Sequence, residues 1–232
     1  MSRLGIVTGL IVEADCTAKA ATGMPKDARP LLFAAGGDGE RARLGAQGLI
    51  DAGATGLLSF GLAGGLSPGL GPGAVVVAET VETPDGERID TDPDWRRRFE
   101  DLARHRIALD HGAIAGVDQP VTSPADKARL HYKTGALIAD MESHGVAAVA
   151  RDAGLPFLAL RVVADPATRA VPEAALAGLG PDGRRRPMRV LMGLVMRPGQ
   201  LGACLSLARD SAAAMAQLRL LAALGPPLFA FP

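Results

Sequence analysis

The stretch from Pro30 to Ala52, PLLFAAGGDGERARLGAQGLIDA, decides the fold class. Pro30–Ala35 is an apolar run of strand length, Gly36-Gly37-Asp38-Gly39 breaks it, and a helical stretch continues to Ala52. The same alternation extends in both directions. Upstream, Arg3–Gly9 is a short apolar run that stops at glycine. Downstream, Thr55–Phe60 is a third strand that runs into the loop Gly61-Leu62-Ala63-Gly64-Gly65, and Ala74–Val81 is a fourth, closed by the turn Pro84-Asp85-Gly86. Asp94–Arg104 reads as a charged helix, and Ile107–Val117 and Ala136–Asp140 as strands. Val146, Val149, Ala150 and Ala153 keep helical spacing before Gly154, and Pro156–Val163 is a strongly apolar strand. A long terminal helix carries Leu201, Leu205, Ala208, Ala212 and Met215 on one stripe. Such alternation predicts one α/β domain over residues 1–232, with a mostly parallel sheet and helices on both faces.

Composition narrows the functions. Apolar residues make up 48% of the chain and aromatics only 3%, so the core must be built from Ala, Val, Leu and Ile. Twenty-five basic residues balance 25 acidic ones, and nothing predicts binding to a nucleic-acid backbone. Cys16 and Cys204 offer neither a disulfide framework nor a metal-ligand spacing, which fits a reducing cytoplasm. Met1–Gly9, with Glu13 and Asp15 after it, reads as a buried strand and not a leader. Val190–Met196 is far too short to span a bilayer.

The unusual polar residues converge. Glu13, the Gly37/Gly39 loop, Gly61–Gly65, Glu142 and Asp165 all fall at the carboxyl ends of predicted strands, where open α/β sheets bind ligands. Gly37-x-Gly39-x-x-Ala42 partly matches a dinucleotide fingerprint. The next strand, however, ends Leu57-Leu58-Ser59-Phe60, without the acidic residue that would hold a ribose. No Walker lysine follows either glycine cluster. The four histidines do not cluster at ligand spacing, so no metal site is expected, and no nucleophile elbow supports a serine hydrolase.

Four motifs, in order, resemble the purine nucleoside phosphorylase/nucleosidase superfamily across roughly residues 3–170. They are Gly5-Ile6-Val7-Thr8-Gly9 with Glu13, Gly61-Leu62-Ala63-Gly64-Gly65, Asp140-Met141-Glu142-Ser143, and Arg161-Val162-Val163-Ala164-Asp165. Within it the chain is most similar to the hopanoid-associated phosphorylases, through Leu179-Gly180-Pro181-Asp182-Gly183-Arg184 and Arg197-Pro198-Gly199-Gln200-Leu201. The resemblance implies a three-layer αβα sandwich with a mixed, mostly parallel central sheet. It implies cleavage of the N-glycosidic bond of an adenine nucleoside, adenosylhopane, releasing adenine to leave a ribosyl or phosphoribosyl hopane.

By the same resemblance, Asp165 is the acid that protonates the departing purine and must hold a proton near neutral pH. Glu142, ionised at a helix N-terminus, accepts the two ribose hydroxyls. Met141 packs on the sugar, Gly61, Leu62, Ala63 and Gly64 line the site, and the Val121 backbone faces the purine beside Pro120. Glu13 activates water as general base. Arg161, a charge in an apolar strand, is expected to pair with a buried carboxylate. Thr8, Gly9, Gly37, Gly39 and Arg41, with Arg43 beside it, are the candidates for holding phosphate, the one co-substrate considered; no cofactor is implied.

The chain departs from the superfamily pattern. Ser59 and Leu62 stand where phosphorylases commonly place an arginine and a serine, and Ala164 where serine usually precedes the aspartate. These departures lean narrowly toward hydrolysis while leaving phosphorolysis open. A methylthioadenosine/adenosylhomocysteine nucleosidase is the alternative enzyme, and a nucleoside-binding protein without catalysis the alternative of another class. Residues 180–232 are expected to be helical. There Arg184, Arg185, Arg186, Arg189 and Arg197 alternate with apolar residues, a pattern that suits an anionic membrane surface or an ordinary packing helix. The implied protein is a cytoplasmic homodimer or larger homo-oligomer, able to touch the inner face of the membrane.

Overall fold

The computed structural model describes residues 3–176, Gly183, Met192 and residues 197–225. In chain order the elements are β1 (Leu4–Thr8), α1 (Ile11–Ala20), β2 (Leu31–Ala34), α2 (Gly39–Asp51), β3 (Gly56–Gly65), β4 (Val75–Glu82), β5 (Arg88–Asp90) and α3 (Pro93–Ala103). There follow β6 (Leu109–Gly116), α4 (Pro124–Thr134), β7 (Ile138–Asp140), α5 (Ser143–Asp152), β8 (Phe157–Asp165), α6 (Glu173–Leu176) and α7 (Leu201–Ala222). Helix starts follow local chemistry. The Asp38, Asp92 and Ser123 side chains accept the backbone N–H of Arg41, Trp95 and Asp126 at the heads of α2, α3 and α4. Pro93 and Pro124 open α3 and α4 without losing a needed donor.

Strands alternate their faces, and the alternation sorts the core into two layers. Leu4, Ile6, Leu58, Phe60, Val75, Val77, Leu158, Leu160 and Val162 face one way, where Trp95 and Phe99 of α3 and Met215 and Leu218 of α7 cover them. Val7, Leu57, Val76, Ala78, Phe157, Ala159 and Val163 face the other, under Ala42 and Ala46 of α2 and Val146, Ala147 and Ala150 of α5. The result is the expected αβα sandwich. Five of the eight strand pairings described are parallel, so the sheet is mixed and mostly parallel.

Three sequence expectations need correction. Gly61–Gly65 is not a loop after a strand but the second half of β3, which pairs with β8 up to Gly64↔Asp165 and with β7 at Gly64 and Gly65. The sheet is also not simply open. β3 pairs β8, β8 pairs β4, β4 pairs β6, β6 pairs β7, and β7 returns to β3, closing a ring. A register shift between Ala63 and Gly64, beside glycines that bend easily, lets β3 reach both neighbours. Finally, the stripe expected to bury α7 does so only at Met215. Leu201, Leu205, Ala208 and Ala212 are exposed, and the helix packs through Ala214, Met215, Leu218, Leu221 and Ala222. Residues 180–232 are helical over Leu201–Ala222, with Gly183 in a bend; most of the basic segment Arg184–Met196 lies outside the described residues.

Candidate functional site

The first carboxylate is set by the corner between β1 and α1. Glu13 lies in the first turn of α1, and its Oε2 accepts the backbone N–H of Gly9 at 3.0 Å and of Leu10 at 2.9 Å. Its Oε1 reaches across to the Leu62 N–H at 3.1 Å. Leu10, the residue preceding the helix, has no side chain that could cap it, and Glu13 does so instead. The carboxyl is only 2% exposed, and burial raises its pKa against the opposing pull of the Leu10 N–H and of Arg161. A Cβ at Gly61 would lie 2.6 Å from Glu13 Oε2, so glycine is needed there for the carboxylate to fit.

The corner between β7 and α5 supplies the second group. Asp140 ends β7 and caps α5, its Oδ1 accepting Ser143 N–H at 3.0 Å and Glu142 N–H at 3.3 Å. Its Oδ2 takes Arg161 Nε at 2.5 Å and the Ser143 hydroxyl. Arg161 Nη2 donates to Ser59 Oγ at 2.6 Å and stands 3.9 Å from Glu142 Oε2. The buried carboxylate expected for Arg161 is thus Asp140. Because Asp140 does the capping, the Glu142 side chain makes no cap bond and turns inward, where a Cβ on Gly9 would meet its Oε1 at 2.6 Å.

The surroundings of Glu142 work against the charge expected on it. Burial, then Asp140 and Glu13, push its carboxyl up to about 8, with Arg161 opposing. A helix N-terminus contributes about 0.3–1 kcal/mol toward ionisation, less than the 1.4 kcal/mol equivalent of about one pKa unit. Desolvation beside Asp140 and Glu13 therefore outweighs the helix N-terminus and favours the protonated form of Glu142.

Asp165 ends β8 opposite Gly64, whose added Cβ would lie 3.5 Å from Asp165 Oδ2. Burial raises its pKa, and an ion pair with Lys127 of α4 opposes the rise. β3 is the common floor of all three groups: Ser59 meets Arg161, Leu62 N–H meets Glu13, and Gly64 faces Asp165. Gly37, at φ 74°, lies under Glu142 and Met141, since its Cβ would be 4.0 Å from Glu142 Oε1 and from Met141 Sδ. Ala63 is buried in the α5-side core, while Leu62 packs on the opposite one. Val121 packs against the small cluster of Leu66, Ala113, Ala115, Ala136 and Ala139.

The phosphate candidates are differently engaged. The Thr8 hydroxyl donates to Leu10 O at 3.0 Å, and Gly9 N–H belongs to Glu13. Gly39 leaves room for the His144 ring, whose Nε2 would be 2.3 Å from an added Cβ. The Arg41 N–H is capped by Asp38, and Arg43 pairs with Glu40 at the surface. Among the described residues, no group of three or more His, Cys, Asp or Glu side chains could hold a metal ion. Nor is any described helix long and apolar enough to cross a membrane.

Two residues at this site were not singled out from sequence. Asp140 stood within a quoted motif, two positions before Glu142, but its capping role depends on the β7–α5 corner. Lys127 looks like part of a solvated helix face in PADKARLHYKT; the available signal was a cation in the first turn, where the dipole disfavours it.

Residues 19–177, well over half of the chain, match the phosphorylase superfamily. That span includes Gly61–Gly65, Glu142 and Asp165, while Glu13 precedes it. No curated protein matches the chain. Among solved structures, the 5′-methylthioadenosine/S-adenosylhomocysteine nucleosidase of Neisseria meningitidis, in complex with methylthio-immucillin-A, superposes with a TM-score of 0.73 at 17% identity, over 97% of this chain and 98% of its own. Futalosine hydrolase of Helicobacter pylori gives 0.71 at 18% identity, over 95% and 97%. The Campylobacter jejuni nucleosidase gives 0.68 at 20% identity, over 91% and 100%. At these identities the likeness is one of fold. The matched span and the fold agree, and the chain belongs to the phosphorylase superfamily.

Proposed function

We propose that the protein hydrolyses the N-glycosidic bond of an adenine nucleoside. The observation that carries this reading is the seat of Glu13. Its carboxylate already occupies the N–H groups of Gly9, Leu10 and Leu62, the donors that an incoming anion would otherwise use. A second anion at those amides would have to displace the Glu13 carboxyl, whereas a water molecule would find a base beside it.

In this mechanism Asp165 gives its proton to purine N7 as the C1′–N9 bond breaks, so that adenine leaves neutral. The ribosyl cation that remains is attacked by water, which passes a proton to Glu13. Glu142 accepts the ribose hydroxyls, with Met141 on the sugar face. Gly61, Leu62, Ala63 and Gly64 form the floor, and the Val121 backbone borders the purine. The reading requires neither cofactor nor phosphate, and by resemblance it carries a homodimer or larger assembly.

The finer identity of the substrate, adenosylhopane, rests on the resemblance through Leu179–Arg184 and Arg197–Leu201. It is supported by the exposed apolar side chains Met192, Leu201 and Leu205 in the C-terminal third, which suit a lipid-linked 5′ group. A soluble methylthioadenosine or adenosylhomocysteine substrate is the second reading, favoured by the fold likeness to a Helicobacter pylori nucleosidase with 5′-methylthioadenosine in its active site.

The test is adenine release from adenosylhopane and from methylthioadenosine, each with and without phosphate. Release should be independent of phosphate and should fall at least ~100-fold in Asp165→Asn, which has no acidic proton to give. Strict dependence on phosphate would replace hydrolysis by phosphorolysis. Nucleoside binding without any adenine release would make the protein a binding protein.

A further inference from the structure

Lys127 is fully buried, and its three N–H groups are all used. They go to Asp165 Oδ2, to Pro166 O at 3.0 Å and to Arg169 O at 3.1 Å. Burying an ammonium is costly without such partners, and its place in the first turn of α4 sets it against the helix dipole. Nothing about α4 itself explains the lysine. Asp165 does.

Asp165 follows Ala164, which has no hydroxyl to offer the carboxyl, and it faces the bare backbone of Gly64. We infer that Lys127 is the positioning residue for Asp165: by donating to Oδ2 it keeps that oxygen an acceptor, leaving Oδ1 to carry the proton toward the base. The inference rests on the adenine-nucleoside reading above. In the reaction, the Oδ1 proton passes to N7 and the glycosidic electron pair goes to the purine. The carboxylate left behind is neutralised in place by the ammonium, and solvent returns the proton once adenine departs. The two carbonyl contacts fix the Pro166–Arg169 turn at the same time, so the acid cannot swing away.

The surrounding charges are committed elsewhere. On α4, Asp126 and Arg129 pair at 2.9 Å in solvent; the Arg169 guanidinium pairs with Asp210 of α7; and Arg161 of β8 holds Asp140. Lys127 therefore sets the charge balance at Asp165, favouring the carboxylate where burial favours the acid. An acid must be protonated to act, so activity is lost as pH rises through its pKa. Removing the cation should move that alkaline limb upward.

The test is the pH profile of kcat/KM for adenine release from methylthioadenosine or adenosylhopane, whichever the wild type cleaves. Lys127→Met should lower kcat by about 10–100-fold with KM changed less than about threefold, and raise the alkaline limb by about one pH unit or more. Lys127→Arg, which keeps the charge, should leave the limb in place. Should Lys127→Met not fold, Lys127→Gln keeps N–H donors for the two carbonyls without the charge and is read the same way. An active wild type whose limb does not move in the uncharged variant overturns the inference and leaves the hydrolase reading standing. A wild type that releases no adenine from either nucleoside overturns that reading first, and the inference with it.

Discussion

Burial and the neighbouring Asp140 and Glu13 carboxyls push the Glu142 pKa up to about 8, with the Arg161 guanidinium 3.9 Å away to offset them. Its ordinary value is 4.5, so between about 4.5 and about 8 the folded protein holds a proton that the unfolded chain has released. Stability from this group is full below 4.5 and is lost as pH rises through about 8. Glu142→Gln should therefore be more stable than wild type in denaturant melts at pH 9, with the advantage vanishing toward pH 5. A difference independent of pH would mean that Glu142 is ionised throughout. Ribose hydroxyls, being donors, should draw out the ionised form, so a nucleoside analogue is expected to bind with proton release below pH 8. Calorimetry in buffers of different ionisation heat reads this directly, and no buffer dependence would count against Glu142 as the ribose acceptor. The residue types were legible in the chain: Glu13, Glu142 and Asp165 stand out by order and surroundings. Their charge states were not, because these depend on Asp140, Arg161 and Lys127, which only folding brings near.

β3 shows the same division among elements. Its apolar first half reads as a strand, but Gly61–Gly65 reads as a loop, since glycine is poor in strands and frequent in turns. The structure keeps it in the sheet because carboxylates take the space that side chains would fill. Gly61→Ala would place a Cβ 2.6 Å from Glu13 Oε2 and displace the carboxylate from its three amides. The expected result is a loss of stability of about 1–3 kcal/mol together with a fall in adenine release of roughly 100-fold or more. Gly48→Ala is the matched control, exposed in the last turn of α2 where an added Cβ meets nothing within 4 Å. It should stabilise by about 0.5–1 kcal/mol with release unchanged. Equal activity in the two variants would remove Glu13 from the mechanism.

Across the whole molecule, α7 is the element whose sequence pattern and packing part company. Leu201 and Leu205 are 52% and 54% exposed, while the helix docks through Met215, Leu218 and Leu221. Helical periodicity identifies an apolar stripe without saying what lies opposite it. If the adenosylhopane reading holds, the exposed end of α7 should meet lipid. The protein is then expected to float with anionic liposomes, and Leu201→Asp with Leu205→Asp to abolish flotation; no flotation by the wild type would remove the membrane contact.

The sequence by itself determined the class of fold, because strand and helix periods and the turns between them are local properties. It also determined which side chains could do acid–base work, because those are matters of residue type. Tertiary structure alone decided that the sheet closes through β7 onto β3 and that Asp140, not Glu142, caps α5. It alone decided that a lysine 38 positions from Asp165 becomes that residue's partner. Desolvation and charge pairing are set by whatever surrounds a group in space, and chain order does not record that neighbourhood.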